Sequence, residues 1–303
     1  MDTPRIGLIG VGLMGHGIAL NLARKGHALT VLDHPGNQPL GELLDLGATT
    51  APDVQSLARG SDVLLLCVTG SPQVEAVLLG AQGALAALPA GAVVIDCSTA
   101  IPTSTERVAA ACAAAGVRFL DAPMTRTPRE AREGRLNLLV GGDAALLAEC
   151  RPLLECFAEH ITHTGAVGTG HRMKLLHNYV SLGSVALLAE AAACALGSGV
   201  AAEVFVDVLG KGGGAGVALE RLRPYLLARD AGALRFAMGN ALKDLGYYGT
   251  MASDAQAAHG IADAVQATFA AAVSQGGPDT PVPQLVDLLA RGPQLAHGLP
   301  GDT

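Results

Sequence analysis

The chain has 303 residues, a length that suits two domains at roughly 150 residues each. Half of it is hydrophobic, 16% is charged, tryptophan is absent and aromatics total 3%, so any core must be built from alanine, leucine, valine and glycine, and disorder is excluded. Lys and Arg number 20 against 27 Asp and Glu, a net charge of −7 with no basic run, which argues against nucleic acid as a partner.

From Arg5 to about Thr164 short β-rich runs alternate with helical patterns. Strands are predicted at Arg5 to Ile9, Ala28 to Leu32, Val63 to Cys67, Ala92 to Asp96, Arg118 to Ala122 and Asn137 to Val140. Helices are predicted at Met14 to Lys25, Ser71 to Leu79 and Pro102 to Ala115. The strands are nearly all apolar, as expected of a doubly wound parallel sheet covered on both faces. After Gly170 the strand signals stop. A long helix beginning near Gly168 leads into an Ala-rich, all-α part, broken by Gly210 to Gly216, Pro224 and Gly276 to Pro283. The expected division is residues 1–166 and 167–303, with only the last dozen residues disordered.

The apolar stretch from Asn178 to Val200 holds one charge, Glu190, but its Ala, Gly and Ser content lacks the aromatic and basic anchors of a membrane span, and no signal peptide is expected at the N-terminus. Cys67, Cys97, Cys112, Cys150, Cys156 and Cys194 lie in apolar runs without CxxC spacing or nearby histidines at ligand spacing. They read as reduced thiols of a cytoplasmic protein, with no metal site.

The first strand runs directly into Gly10-Val11-Gly12-Leu13-Met14-Gly15, which opens the first helix. In that context GxGxxG marks a dinucleotide-binding Rossmann domain: Gly10 turns tightly, Gly12 admits a pyrophosphate, Gly15 allows close helix–strand packing, and the helix N-terminus faces the phosphates. Asp33 closes the second strand, where a carboxylate accepts hydrogen bonds from the adenosine ribose and repels a 2′-phosphate. NAD is therefore favoured over NADP.

Further on, His171, Lys174, Asn178 and Ser181 are spaced three, four and three apart, on one face of an otherwise apolar helix. A snorkelling lysine at a helix start explains Lys174 equally well in isolation. Beside a nicotinamide, however, reduction of a carbonyl needs a proton donor at the oxygen, and a partly desolvated lysine supplies one. Asn178, one turn away, is placed to orient the substrate or the lysine.

Gly7 to Gly15, Asp96-Cys97-Ser98-Thr99, Asp121-Ala122-Pro123, Gly134 through Gly141-Gly142, GxGxxxKxxxN from Gly168 to Asn178, and Lys243-Asp244-Leu245 occur in an order that resembles the β-hydroxyacid dehydrogenases of the 3-hydroxyisobutyrate dehydrogenase type. The resemblance covers residues 5 to 295. It implies NAD(P)-dependent interconversion of a short 3-hydroxy acid and its semialdehyde by a homodimer or homotetramer. It also implies Lys174 as the catalytic lysine, Asn178 as the substrate-orienting asparagine, Ser98 and Thr99 beside nicotinamide and substrate, Val68 and Thr69 beside the adenosine, and Lys243 closing the site. Leu13, Met14 and Ser181 complete the expected cofactor and substrate contacts.

Where that family carries Ser-Gly-Gly for the substrate carboxylate, this chain has Met124-Thr125-Arg126-Thr127. An Arg126-Thr127 pair resembles the sulfolactaldehyde reductase subgroup and suits an anionic tail; on residue type alone, a solvent-facing Arg126 is the commoner reading. That subgroup has two asparagines where His177-Asn178 stand here. The expected reaction is thus reduction of a short anionic aldehyde. The rivals are a 3-hydroxyisobutyrate dehydrogenase, a tartronate or succinic semialdehyde reductase, and a silent nucleotide-binding module.

Overall fold

The computed structural model describes residues 4–291, so the last dozen residues, expected to be disordered, lie outside the described residues. The chain forms two compact units, one ending at Lys174 and the other beginning at Leu175. That division falls inside a helix rather than in the connection at 166/167.

In the first unit the strands are β1 (Ile6–Ile9), β2 (Leu29–Leu32), β3 (Thr49–Ala51), β4 (Val63–Leu66), β5 (Val93–Asp96), β6 (Arg118–Asp121), β7 (Met124–Thr125), β8 (Leu136–Gly141) and β9 (Ala158–Gly165). They form one sheet in the order β3-β2-β1-β4-β5-β6-β8-β7, with β9 paired to β8. The pairs from β3 to β6 are parallel, while β8 runs antiparallel to β6 and to β7. Between the strands lie α1 (Leu13–Arg24), α2 (Gly41–Asp45), α3 (Val54–Arg59), α4 (Ser71–Leu79), α5 (Pro102–Ala114), α6 (Pro128–Arg132) and α7 (Ala144–Leu154).

Strand side chains alternate between two faces, and both are buried. Leu8, Val31, Leu65, Ile95 and Leu120 enter one core, whereas Ile9, Leu32, Leu64, Val94 and Phe119 enter the other. This is the Rossmann arrangement, continued past its sixth strand by an antiparallel extension. The sequence gives little sign of β3, β7 and β9. β3 and β7 are two or three residues long, and β9 reads Ala-Glu-His-Ile-Thr-His-Thr-Gly, a polar edge strand that is mostly exposed.

The second unit is helical: most of α8 (Thr169–Gly197), then α9 (Ala202–Gly210), α10 (Val217–Ala228), α11 (Met238–Asp254), α12 (Gly260–Gly276) and α13 (Leu285–Ala290). Leu182, Val185, Ala186, Ala189 and Ala192 of α8 pack in a common core with Val206, Leu222, Met238, Leu245 and Phe269. Among the described residues α8 is the one helix long and apolar enough to cross a membrane, and one of its faces enters this core while Val180 and Leu187 stay exposed.

Candidate active site

The glycine loop has the geometry its spacing foretells. Gly10 takes a φ of 98°, and a Cβ there would lie 2.3 Å from the Cys67 carbonyl oxygen. A Cβ on Gly15 would lie 1.9 Å from the Gly10 oxygen, while one on Gly12 would meet nothing within 4 Å. Gly10 and Gly15 are thus glycine because the fold closes on them, and Gly12 because something else approaches. Gly12 is also the N-cap of α1, which has no side-chain cap and no acid in its first turn. Its N–H groups and the positive end of its dipole face an open approach that fits a pyrophosphate. Leu13 is 64% exposed at the same turn, Met14 is half-buried, and Asp33 is exposed just beyond β2.

At the carboxyl ends of β4 and β5, the Val68 N–H donates to Ser98 Oγ at 3.0 Å, and the Ser98 N–H donates to Asp96 Oδ1 at 2.9 Å. Ser98 is buried, Thr99 half-buried and Thr69 exposed. Ser98 therefore ties the two expected cofactor loops together, with its hydroxyl also hydrogen-bonded to the buried Asp96 carboxylate. Cys67 is half-buried beside this junction, and desolvation pushes its thiol up to about 12.

The start of α8 is held by a carboxylate far from it in sequence. Asp121, at the end of β6, accepts from the N–H groups of Gly168 at 2.8 Å and His171 at 2.9 Å. Side chains at 141 or 170 would press within 2.6 and 2.7 Å of that carboxylate. The Asp121-Ala122-Pro123, Gly141-Gly142 and Gly168-Thr169-Gly170 motifs thus converge on a single task, capping the helix that carries Lys174.

His171 differs from the face expected of it. It is fully buried. Its Nε2–H donates to the Ser98 carbonyl at 3.1 Å, and Nδ1 lies 2.8 Å from the Thr105 hydroxyl. Lys174 is half-buried.

In the second unit Asn178 is 8% exposed, and its Nδ2 donates to Asp244 Oδ2 at 2.6 Å. His177 Nδ1 lies 3.1 Å from Asn178 Oδ1 and donates to it, so the amide is fixed from both ends. Asp244 is buried, with Lys243 Nζ 3.1 Å from its other oxygen and 5.2 Å from the centre of the Tyr247 ring. Ser181 is half-buried three residues after Asn178. Asp121, Asp244 and His171 are the polar residues whose roles the sequence leaves unassigned. The detectable signal is an acid next to an apolar run or next to the motif lysine.

Arg126 and Thr127 are engaged elsewhere. The Arg126 guanidinium donates to Glu159 and to the Arg135 carbonyl, holding the Glu159 carboxyl below its usual range. Its φ is 83°, a conformation that favours glycine. Thr127 caps α6 in a capping box with Glu130. Thr125, the residue before Arg126, is buried.

Residues 5–165 match the NAD binding domain of 6-phosphogluconate dehydrogenase, and residues 168–289 match the NAD-binding domain of NADP-dependent 3-hydroxyisobutyrate dehydrogenase. An NAD-dependent L-serine dehydrogenase of Pseudomonas aeruginosa is 34% identical over 73% of this chain and 74% of its own length. A 3-sulfolactaldehyde reductase of Escherichia coli is 36% identical over 62% of each. The crystal structure of a 3-hydroxyisobutyrate dehydrogenase from Salmonella typhimurium superposes with a TM-score of 0.82 at 26% identity, covering 95% of this chain and all of that one. With both domains matched in order and the helix-borne lysine and asparagine in place, the chain belongs to the β-hydroxyacid dehydrogenase family, NAD(P)-dependent oxidoreductases acting on CH–OH groups.

Proposed function

We propose that the protein reversibly reduces a short aldehyde carrying an anionic tail to the corresponding hydroxy acid, with NAD preferred to NADP. The observation that carries this reading is the pairing of Lys174 with an Asn178 whose amide is locked by Asp244. A bound nicotinamide supplies or removes the hydride. Lys174 gives a proton to the forming alkoxide and takes it back in the reverse direction. The second Nδ2 hydrogen of Asn178 is a donor left to orient the substrate oxygen. The exposed Asp33 carboxylate disfavours a 2′-phosphate.

For a sulfonate tail, Arg126 must exchange Glu159 for the substrate, and Thr127 must turn from Glu130. Their engagement in α6 and β9 favours a second reading, in which a carboxylate tail is held by Thr125 and its loop, as in a 3-hydroxyisobutyrate, tartronate or succinic semialdehyde enzyme. Steady-state reduction of sulfolactaldehyde and of the succinic, tartronate and methylmalonate semialdehydes, each with NADH and NADPH, decides between them. A kcat/KM preference for the sulfonate that Arg126→Ala abolishes through KM supports the first. A carboxylate preference insensitive to Arg126 supports the second.

The enzyme is further proposed to act as a cytoplasmic homo-oligomer. Met173, Val180, Leu187 and Cys194 recur every seven residues on an exposed face of α8, and Val180 and Leu187 are 64% and 71% exposed.

A further inference from the structure

His171 makes contacts that cofactor binding and proton transfer do not require of it. The imidazole is fully buried at the carboxyl ends of β5 and β6, where it meets three elements at once. Nε2–H donates to the carbonyl of Ser98, whose own Oγ holds the Val68 loop. Nδ1 lies 2.8 Å from the hydroxyl of Thr105 of α5, which also bonds the Ile101 carbonyl. The His171 main-chain N–H is one of the two that Asp121 caps. Two buried carboxylates face the ring, Asp96 with Oδ2 at 4.0 Å from Nε2 and Asp121 with Oδ2 at 3.8 Å from Nδ1. Asp96 Oδ2 has no hydrogen-bond partner among the described residues. Lys174 stands three residues later on the same helix, so the position of its ammonium follows the azimuth and height of the first turn of α8.

We propose that His171 is the positioning residue that sets Lys174 against the Ser98 loop, by locking the first turn of α8 to the loop that joins the two cofactor-binding segments. The inference rests on Lys174 acting as the proton donor. The Asp121 cap fixes the height of the helix but leaves rotation about its axis open; the bonds to Ser98 and Thr105 close that freedom from the side. Without the imidazole the Ser98 carbonyl loses its side-chain partner in a buried site and Thr105 keeps only its bond to the Ile101 carbonyl, so helix and loop settle independently. A misplacement of about 1 Å between proton donor and substrate costs on the order of 100-fold in turnover.

Two variants separate positioning from bulk stability. His171→Leu keeps an apolar side chain but offers no hydrogen bond. His171→Gln offers an N–H for Ser98 and an oxygen for Thr105, and carries no charge. The expected result is that His171→Leu lowers kcat by about 100-fold with little change in KM or in the dissociation constant for NADH, while His171→Gln restores kcat. Equal loss of kcat in both variants, or an unchanged kcat in His171→Leu, overturns the proposal.

Hydrogen exchange of the cofactor-bound protein gives a readout independent of turnover. Segments 96–101 and 168–176 should both exchange faster in His171→Leu, and neither in His171→Gln. Faster exchange of the helix alone overturns the coupling. If the unmodified protein reduces no aldehyde in the panel, it is the functional reading that has failed, and the exchange data still decide the coupling.

Discussion

On the proposed reading turnover depends on Lys174, while nothing in the nucleotide loop does. Lys174→Ala is expected to abolish aldehyde reduction while leaving the dissociation constant for NADH within about twofold, read by quenching of cofactor fluorescence. Parallel loss of both would remove its assigned role. Arg5 and Asp62 illustrate a residue pair with a structural effect only. Arg5 grips the Asp62 carboxylate through Nε at 3.0 Å, a second guanidinium nitrogen at 2.7 Å and its own main-chain N–H, and the Asp62 carboxyl falls from 3.8 to about 2. A carboxyl lowered in the folded state stabilises above its ordinary value, and that stabilisation is lost as pH falls toward the lowered one. The Tm difference between the unmodified protein and Asp62→Asn should therefore be constant above pH 4 and shrink between about pH 4 and 2. It should also be small, since both side chains are about half exposed. Lys174, Asn178 and Lys243 were legible because their spacing or their motif marks them. The partners of Asp244 and His171 were not, because a contact with a distant stretch of chain leaves no local period. Arg126 shows the converse: its residue type suggests an anion site, while its actual partner, Glu159, lies 33 residues away.

At the scale of the element, the glycine turn separates binding from stability. Gly12→Ala adds a methyl group to open space, whereas Gly15→Ala drives one into the Gly10 carbonyl. Thermal melts should show Gly12→Ala close to the unmodified protein without cofactor but with a smaller Tm gain on adding NADH. Gly15→Ala should lose about 1–3 kcal/mol or more with no cofactor present. Reversal of that order would mean the pyrophosphate does not approach Gly12. Strands β1, β2, β4, β5 and β6 and helices α1, α4 and α5 lie within a residue of where apolar runs and breakers place them. The strands that escaped, β3, β7 and β9, owe their pairing to a neighbour already in place rather than to their own composition. β8 was visible as a strand, but its direction was not, because a run of alternating apolar residues looks the same read either way.

For the molecule as a whole, the exposed apolar row on α8 is the surface feature with the largest consequence. Leu187→Arg puts a charge at its most exposed leucine and leaves the inward residues Leu182, Val185 and Ala189 untouched. Light scattering after gel filtration should move from a multiple of the chain mass toward the single chain, with helical circular dichroism retained. An unchanged mass would assign the row to another role. The division into a nucleotide unit and a helical unit was foreseeable from where strand signals cease. What the sequence did not reveal is the cap that Asp121 provides to the start of α8 across 47 positions of sequence. That cap also limits how the chain can be recombined. A helical half excised at 167 would begin with a turn whose donors have lost their acceptor, and the sheet half left behind would bury a carboxylate with nothing to receive. Only a junction beyond Lys174 lets the two halves be exchanged between relatives as intact modules, and Lys174 then travels with the nucleotide fold rather than with the helices.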